Sequence, residues 1–377
     1  MPAAYLDHAA TTPLRAEALA AMEPWLRGQV GNPSGSHQLA RRARRALDDA
    51  REVVAECLGC APGDVVFTSG GTEGANLAVQ GAFRARPGRL VCSAVEHHAV
   101  LEPVRSLGGV TVPVDQSGIV DLDALDAVLD RDVVLVSVML ANNEVGTVEP
   151  LPAVAELVRR RAPEALVHTD AVHGVCWLDV ARLAEGADLV TVSAHKFGGP
   201  QGVGAMVSRG SIPVRPLLLG GGQERDRRPG TQNVAGIAGL AAALAATTAD
   251  RTQTVRRVAR LRSRLADGLH ASVDGLQVTG APEQVAGTCH VRVPGIDREE
   301  LLFLLDQAGV YASAGASCAS GALQPSHVLS AMGWTAEQAS GAVRFSLGTT
   351  TTEAEVEWAL AVVPQVVGQL RSRGGAA

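Results

Sequence analysis

Val192-Ser193-Ala194-His195-Lys196-Phe197-Gly198-Gly199-Pro200 leaves the end of an apolar, β-branched run at 188–192 and carries the only lysine of the sequence. Of the 33 lysines and arginines, all but Lys196 are arginine. Solvated charge gives no physical reason to exclude lysine, so compositional drift toward Ala, Gly, Val and Arg explains the bias. A lysine that survives such drift is a candidate for work arginine cannot do. Its amine can lose a proton and become a nucleophile, whereas the guanidinium stays charged.

Outward from this stretch, short Val-rich runs alternate with helical patterns. Strands are expected at 64–68, 89–92, 109–114, 133–139, 165–169, 188–192 and 203–207, with helices near 37–58, 72–84, 97–107, 122–129 and 151–161. Apolar runs separated by such helices predict an α/β fold built on a mostly parallel sheet covered on both faces. After residue 250 the pattern changes. An Arg-rich helix (252–270), shorter strands (276–279, 288–293), a helix at 298–307, a Gly/Ala/Ser-rich loop and a last helix at 353–371 read as a smaller α+β unit. We expect a large domain at 15–251, and a small one formed by 1–14 and 252–377 with a cleft between them.

Composition narrows the function. A net charge of −6 gives no basic field for nucleic acid as a main partner. The segment 1–10 lacks a charged stretch followed by an apolar one, so no secretory signal is expected. The run 234–249 is mostly Ala and Gly and reads as a buried or half-buried helix rather than a membrane span. A cytoplasmic protein without membrane association is expected. The six cysteines suit reduced thiols at this chain length. Cys57-Leu-Gly-Cys60 admits a redox pair or half a zinc site, but no partner pair accompanies it, and packing at a helix end is preferred; no metal site is expected. Arg41–Arg45 followed by Asp48 and Asp49 reads as a salt-bridged, solvated helix face.

Asp170, in Leu166-Val-His-Thr-Asp-Ala-Val-His173, ends another expected strand. In parallel sheets, ligand sites form where loops leave the strand C-termini. An amine and a carboxylate there suit pyridoxal phosphate, which needs a lysine for its Schiff base and an acid to keep its ring nitrogen protonated; taken alone, they equally suit a structural ion pair. Ser69-Gly70-Gly71-Thr72-Glu73-Gly74-Ala75-Asn76 follows a strand and opens a helix. Small residues and exposed N–H groups at such a turn make an anion site, to which Ser193 and His195 could add donors.

These segments, with others in order, carry a family resemblance. Tyr5-Leu-Asp-His-Ala-Ala-Thr-Thr-Pro13, Gly31-Asn-Pro-Ser34, Glu96-His97-His98, Asn142-Asn143-Glu144-Val-Gly146, Arg228-Pro-Gly-Thr231, Ala314-Gly-Ala-Ser-Cys318 and Arg344-Phe-Ser-Leu-Gly348 join those above. The chain resembles the cysteine desulfurases of the NifS/IscS type, within the fold-type-I pyridoxal-phosphate transferases (aminotransferase class V), over nearly its whole length. Gln324-Pro-Ser-His-Val-Leu-Ser-Ala-Met-Gly333 is similar to the long-loop branch.

The resemblance implies a role for each matching residue. Lys196 is the Schiff-base lysine and proton-moving base, Asp170 pairs with the ring nitrogen, and His97 stacks on the ring and serves proton transfer, while His98 is structural. Gly71, Thr72, Ser193 and His195 hold the phosphate, Thr231 reaches it from the partner of a homodimer, and Asn143 contacts the ring oxygen and the substrate. Arg344 clamps the substrate carboxylate, which a planar fork fits. Cys318, flanked by small residues, accepts the sulfur of L-cysteine as a persulfide, releases L-alanine and hands the sulfur to an acceptor protein. The pathway served, iron–sulfur clusters or another, stays open. One departure stands out: His173 occupies the place of the family's usual glutamine beside the ring oxygen, where a histidine can also titrate near neutrality. Rival readings are another class V enzyme (a selenocysteine lyase or an aminotransferase) and a non-catalytic sulfur-carrier scaffold.

Overall fold

The computed structural model describes residues 3–210, 212–315 and 326–374. Its strands are β1 (Ala4–Tyr5), β2 (Val65–Thr68), β3 (Arg89–Ser93), β4 (Val110–Val112), β5 (Val133–Ser137), β6 (Leu166–Asp170), β7 (Leu189–Ser193), β8 (Gly204–Ser208), β9 (Gln277–Thr279), β10 (Thr288–Arg292), β11 (Val310–Tyr311) and β12 (Ala342–Ser346). Among the described residues, a seven-stranded sheet has the order β2-β8-β7-β6-β5-β3-β4. Its internal pairs are parallel except where β8 runs against β7 and β2.

Both faces of this sheet are buried. Successive strand residues point to opposite faces, and the core divides accordingly. Val136 and Val190 join one apolar cluster with Leu47, Val54 and Leu58 from the helix Gln38–Leu58. Their neighbours Leu135 and Leu189 join another with Leu77 and Val79 from the helix Gly71–Ala85. This two-sided cover makes the strands read as continuous apolar runs instead of alternating ones.

A third cluster gathers Leu6, Leu265, Val291, Leu305, Val310, Phe345 and Val363 around the sheet β12-β10-β9 and the parallel pair β1-β11. The expected helices 234–249 and 252–270 prove to be one helix, Val234–Ser272, because neither Gly nor Pro interrupts residues 247–256. Its first half packs through Ile237, Leu240 and Leu244 on the large-sheet core, and its second half through Val258, Leu261 and Leu265 on the third cluster. Strand β12 had no counterpart in the sequence reading, since a central arginine breaks the apolar run Ala342-Val-Arg-Phe-Ser346. Gly59 closes the helix Gln38–Leu58 in a left-handed conformation (φ 64°), so Cys57 and Cys60 flank a helix end as expected. On the same helix Arg44 meets Asp48 at 3.1 Å in solvent, a pair that adds little stability.

Candidate active site

Strands β6 and β7 lie side by side, Asp170 opposite Thr191, so the aspartate and the loop carrying Lys196 emerge at one sheet edge. A 3-10 turn, Ala194–Lys196, follows β7 at once. Lys196 Nζ donates to the carbonyls of Ala9 and Ala10, the latter at 3.0 Å. Asp170 is buried, and one carboxylate oxygen accepts the Val172 N–H at 2.9 Å. Burial lifts its carboxyl to about 6, against the pull of that N–H and of the Lys196 charge. A buried acid of this kind calls for a cationic or hydrogen-bonding partner in the space it faces.

His97 forms the N-cap of the helix His98–Ser106, its Nδ1 accepting the Ala99 N–H at 3.0 Å. Burial, then the charges of Lys196, His98 and His327, hold its pKa down to about 4. The ring is therefore neutral at physiological pH, and with Nδ1 used as an acceptor its proton sits on Nε2. His98 is half-buried, 3.5 Å from Glu102 and with its ring centroid 4.5 Å from that of His327.

On the other side of the lysine, the helix Gly71–Ala85 presents its first turn, whose N–H groups have no partners within the helix. A Cβ on Gly71 would fall 2.8 Å from Val172 Cγ2, so only glycine keeps this cradle open. Ser69, Gly70, Gly71, Thr72, Ser193 and His195 share one hollow of about 350 Å³. His195 Nδ1 lies 3.2 Å from the Thr11 hydroxyl, and burial lowers its pKa to about 4. Small residues and helix N-terminal amides make this hollow suited to an anion.

An adjoining cavity of about 320 Å³ collects Gly71, Thr72, His97, Asn143, Asp170, His173, Ser193, His195, Lys196 and Arg344. All ten were singled out from the sequence. Thr231 is exposed and lies outside this cavity of its own chain, and Cys318 lies outside the described residues. One expectation needs correcting: His173 does not titrate near neutrality. It is buried with Nε2 3.3 Å from the Thr288 hydroxyl, and burial next to the charges of Lys196 and Arg344 takes its pKa to about 3.

Arg344, on β12, is almost wholly buried. Its Nη1 donates to the Asn143 carbonyl at 2.7 Å and its Nη2 to Asp7 Oδ1 at 2.8 Å. The sequence reading assigned no role to Asp7, nor to Glu144, which lines the cavity and accepts the Ser326 hydroxyl at 2.6 Å. Both stand inside quoted motifs, but only the fold shows what each side chain meets.

An amine just past one strand and a carboxylate at the end of its parallel neighbour, beside an anion cradle and a buried arginine, define an enzyme site of the fold-type-I kind. The chain belongs to the aminotransferase class-V family, whose model matches residues 4–358. Within it the chain falls with proteins of the IscS and NifS type. It is 38% identical to a protein of Dictyoglomus turgidum named cysteine desulfurase IscS, over 98% of this chain and 95% of that one. A solved structure described as a NifS-like protein superposes with a TM-score of 0.91 at 36% identity, covering 98% of this chain and all of the other. Another, SspA in complex with cysteine, gives a TM-score of 0.80 at 28% identity, covering 93% of this chain and 100% of that one.

Proposed function

We propose that this protein is a cysteine desulfurase dependent on pyridoxal phosphate, taking sulfur from L-cysteine. The observation that carries the reading is the convergence of Lys196, Asp170, His97 and Arg344 on one cavity beside the cradle at Gly71. These residues fit the cofactor. Gly71, Thr72, Ser193 and His195 would hold its phosphate, Asp170 its ring nitrogen, and Asn143 and His173 its ring oxygen. When bound, pyridoxal phosphate supplies an aldehyde for the amino group and a ring that takes up the electron pair left at the substrate Cα.

This chain's own groups do the rest. Lys196 would hold the cofactor and move the proton at the substrate Cα. His97, neutral with its proton on Nε2, can exchange that proton across the cavity. Arg344 orients the substrate carboxylate. The Cys318 thiolate attacks the substrate sulfur, and the C–S bond breaks with its electrons staying on carbon, which then takes up a proton. Net, L-cysteine and the Cys318 thiol give L-alanine and a Cys318 persulfide, whose outer sulfur passes to an acceptor protein. In a homodimer, Thr231 would reach the partner's phosphate site, in keeping with its exposure here. We read residues 15–251 as the cofactor-holding unit and 1–14 with 252–377 as the unit that brings Arg344 and Cys318.

The test is direct. The purified protein should be yellow and borohydride should fix the cofactor to it. A Cys318→Ser protein should keep that colour and lose alanine production from L-cysteine. Full activity in Cys318→Ser would remove Cys318 from the reaction, and a protein that stays colourless with added cofactor would favour a scaffold.

A further inference from the structure

Arg344, the group read as capturing the substrate carboxylate, already has a carboxylate bound. Asp7 Oδ1 sits 2.8 Å from Nη2, with the two side chains only 2% and 23% exposed. Nη1 is taken by two neutral acceptors, the carbonyls of Asn143 at 2.7 Å and Gly315 at 3.4 Å, while Nε is buried with no acceptor among the described residues. Of the acceptors on this guanidinium among the described residues, Asp7 alone is a carboxylate. It holds the place on the arginine that an incoming carboxylate needs.

The surrounding bonds decide what can move. The Asp7 main chain is pinned: residue 7 bridges Ser346 of β12, and His8 N–H donates to the Ser346 carbonyl at 3.1 Å. The Tyr5 hydroxyl donates to the carbonyls of Asp7 at 3.2 Å and Thr11 at 2.9 Å. Two and three residues further on, the carbonyls of Ala9 and Ala10 receive Lys196 Nζ. A shift of this backbone would therefore disturb the lysine, whereas rotation of the Asp7 side chain would not. Meanwhile the two carbonyls on Nη1 keep the fork aligned. Two carboxylates on one guanidinium also repel each other, so sharing is unfavourable and exchange is the easier route.

We propose that Asp7 sets the affinity of this site for amino-acid substrates, as a resident carboxylate that the substrate carboxylate must displace from Arg344. Asp7 thereby keeps the arginine neutralised and in position between turnovers, and it weakens binding of every ligand that uses the arginine. The proposal rests on the reading of Arg344 as the carboxylate clamp. It differs from a structural role for Asp7 in sign: removing the charge should tighten binding.

Asp7→Asn keeps the acceptor oxygen and the shape while removing the charge. Replacing a charge-assisted bond with a neutral one should lower the Kd of the holoenzyme for L-alanine, measured by calorimetry, by about fivefold. KM for L-cysteine should fall with it, and kcat should change less. Ethylamine, which offers an amine without a carboxylate, should bind both proteins alike. Weaker or unchanged binding of L-alanine, or equal tightening for ethylamine, would overturn the proposal. Asp7→Ser should move the same way and serves if Asp7→Asn folds poorly. A wild-type holoenzyme that binds L-alanine but leaves L-cysteine intact would contradict the desulfurase reading instead, and the alanine arm would still test Asp7.

Discussion

Lys196 combines two properties that arginine cannot share, a deprotonatable amine and a compact head held by the Ala9 and Ala10 carbonyls. Lys196→Arg would leave the chain without any lysine, so borohydride should fix no cofactor to it and alanine formation should fall to background; a fixed, active Lys196→Arg protein would refute the assignment. Single residues of this kind were legible in the sequence because their chemistry stands out against the composition. Partnerships were not. Asp7 and Arg344 are 337 positions apart, and no local pattern announces that one neutralises the other. His173 shows the same limit: its identity suggested a titrating group, but its burial against Thr288 makes it a neutral one.

The elements that place these residues were legible where one physical signal dominates. Apolar strands of the large sheet appear as Val-rich runs, and the helix Gly71–Ala85 is marked by its glycine turn. Strand β12, edge-paired with β10 and interrupted by Arg344, carries no such signal, and the change in composition near residue 250 hid the continuity of the helix Val234–Ser272. The packing of Gly71–Ala85 against β7 gives a test at this scale. A Cβ on Gly74 would fall 2.7 Å from Thr191 Cγ2. Alanine raises helix propensity by about 1 kcal/mol over glycine, so a change governed by propensity would stabilise. We expect Gly74→Ala to destabilise by about 1–3 kcal/mol through overpacking, read as a lower denaturation midpoint; a raised midpoint would mean the contact yields freely.

Across the whole molecule, burial sets the response to acid. His8, His97 and His195 are held to about 4, and His168, His173 and His290 to about 3. Burial is the largest cause in each. Between pH 6.5 and 4 the unfolded chain binds protons at these histidines that the folded chain refuses, so stability falls as pH falls. Buried carboxyls oppose this, Asp170 raised to about 6 and Glu149 to about 8, with Glu96 and Glu144 raised as well. They are fewer, so the melting temperature should be lower at pH 5 than at pH 7, and an equal or higher value would contradict the balance.

The long helix Val234–Ser272 packs on both the large-sheet core and the third cluster, and one cavity gathers amine, acids, imidazole and guanidinium; what that cavity does to L-cysteine is open to measurement. Mass spectrometry of the protein after brief exposure to L-cysteine, with alanine measured in the same sample, follows both the sulfur and the carbon product. With Cys318 as the sulfur acceptor, a Cys318 peptide should be heavier by one sulfur atom, with alanine released in equal amount. Alanine released with Cys318 unmodified and the added sulfur on another cysteine would contradict it.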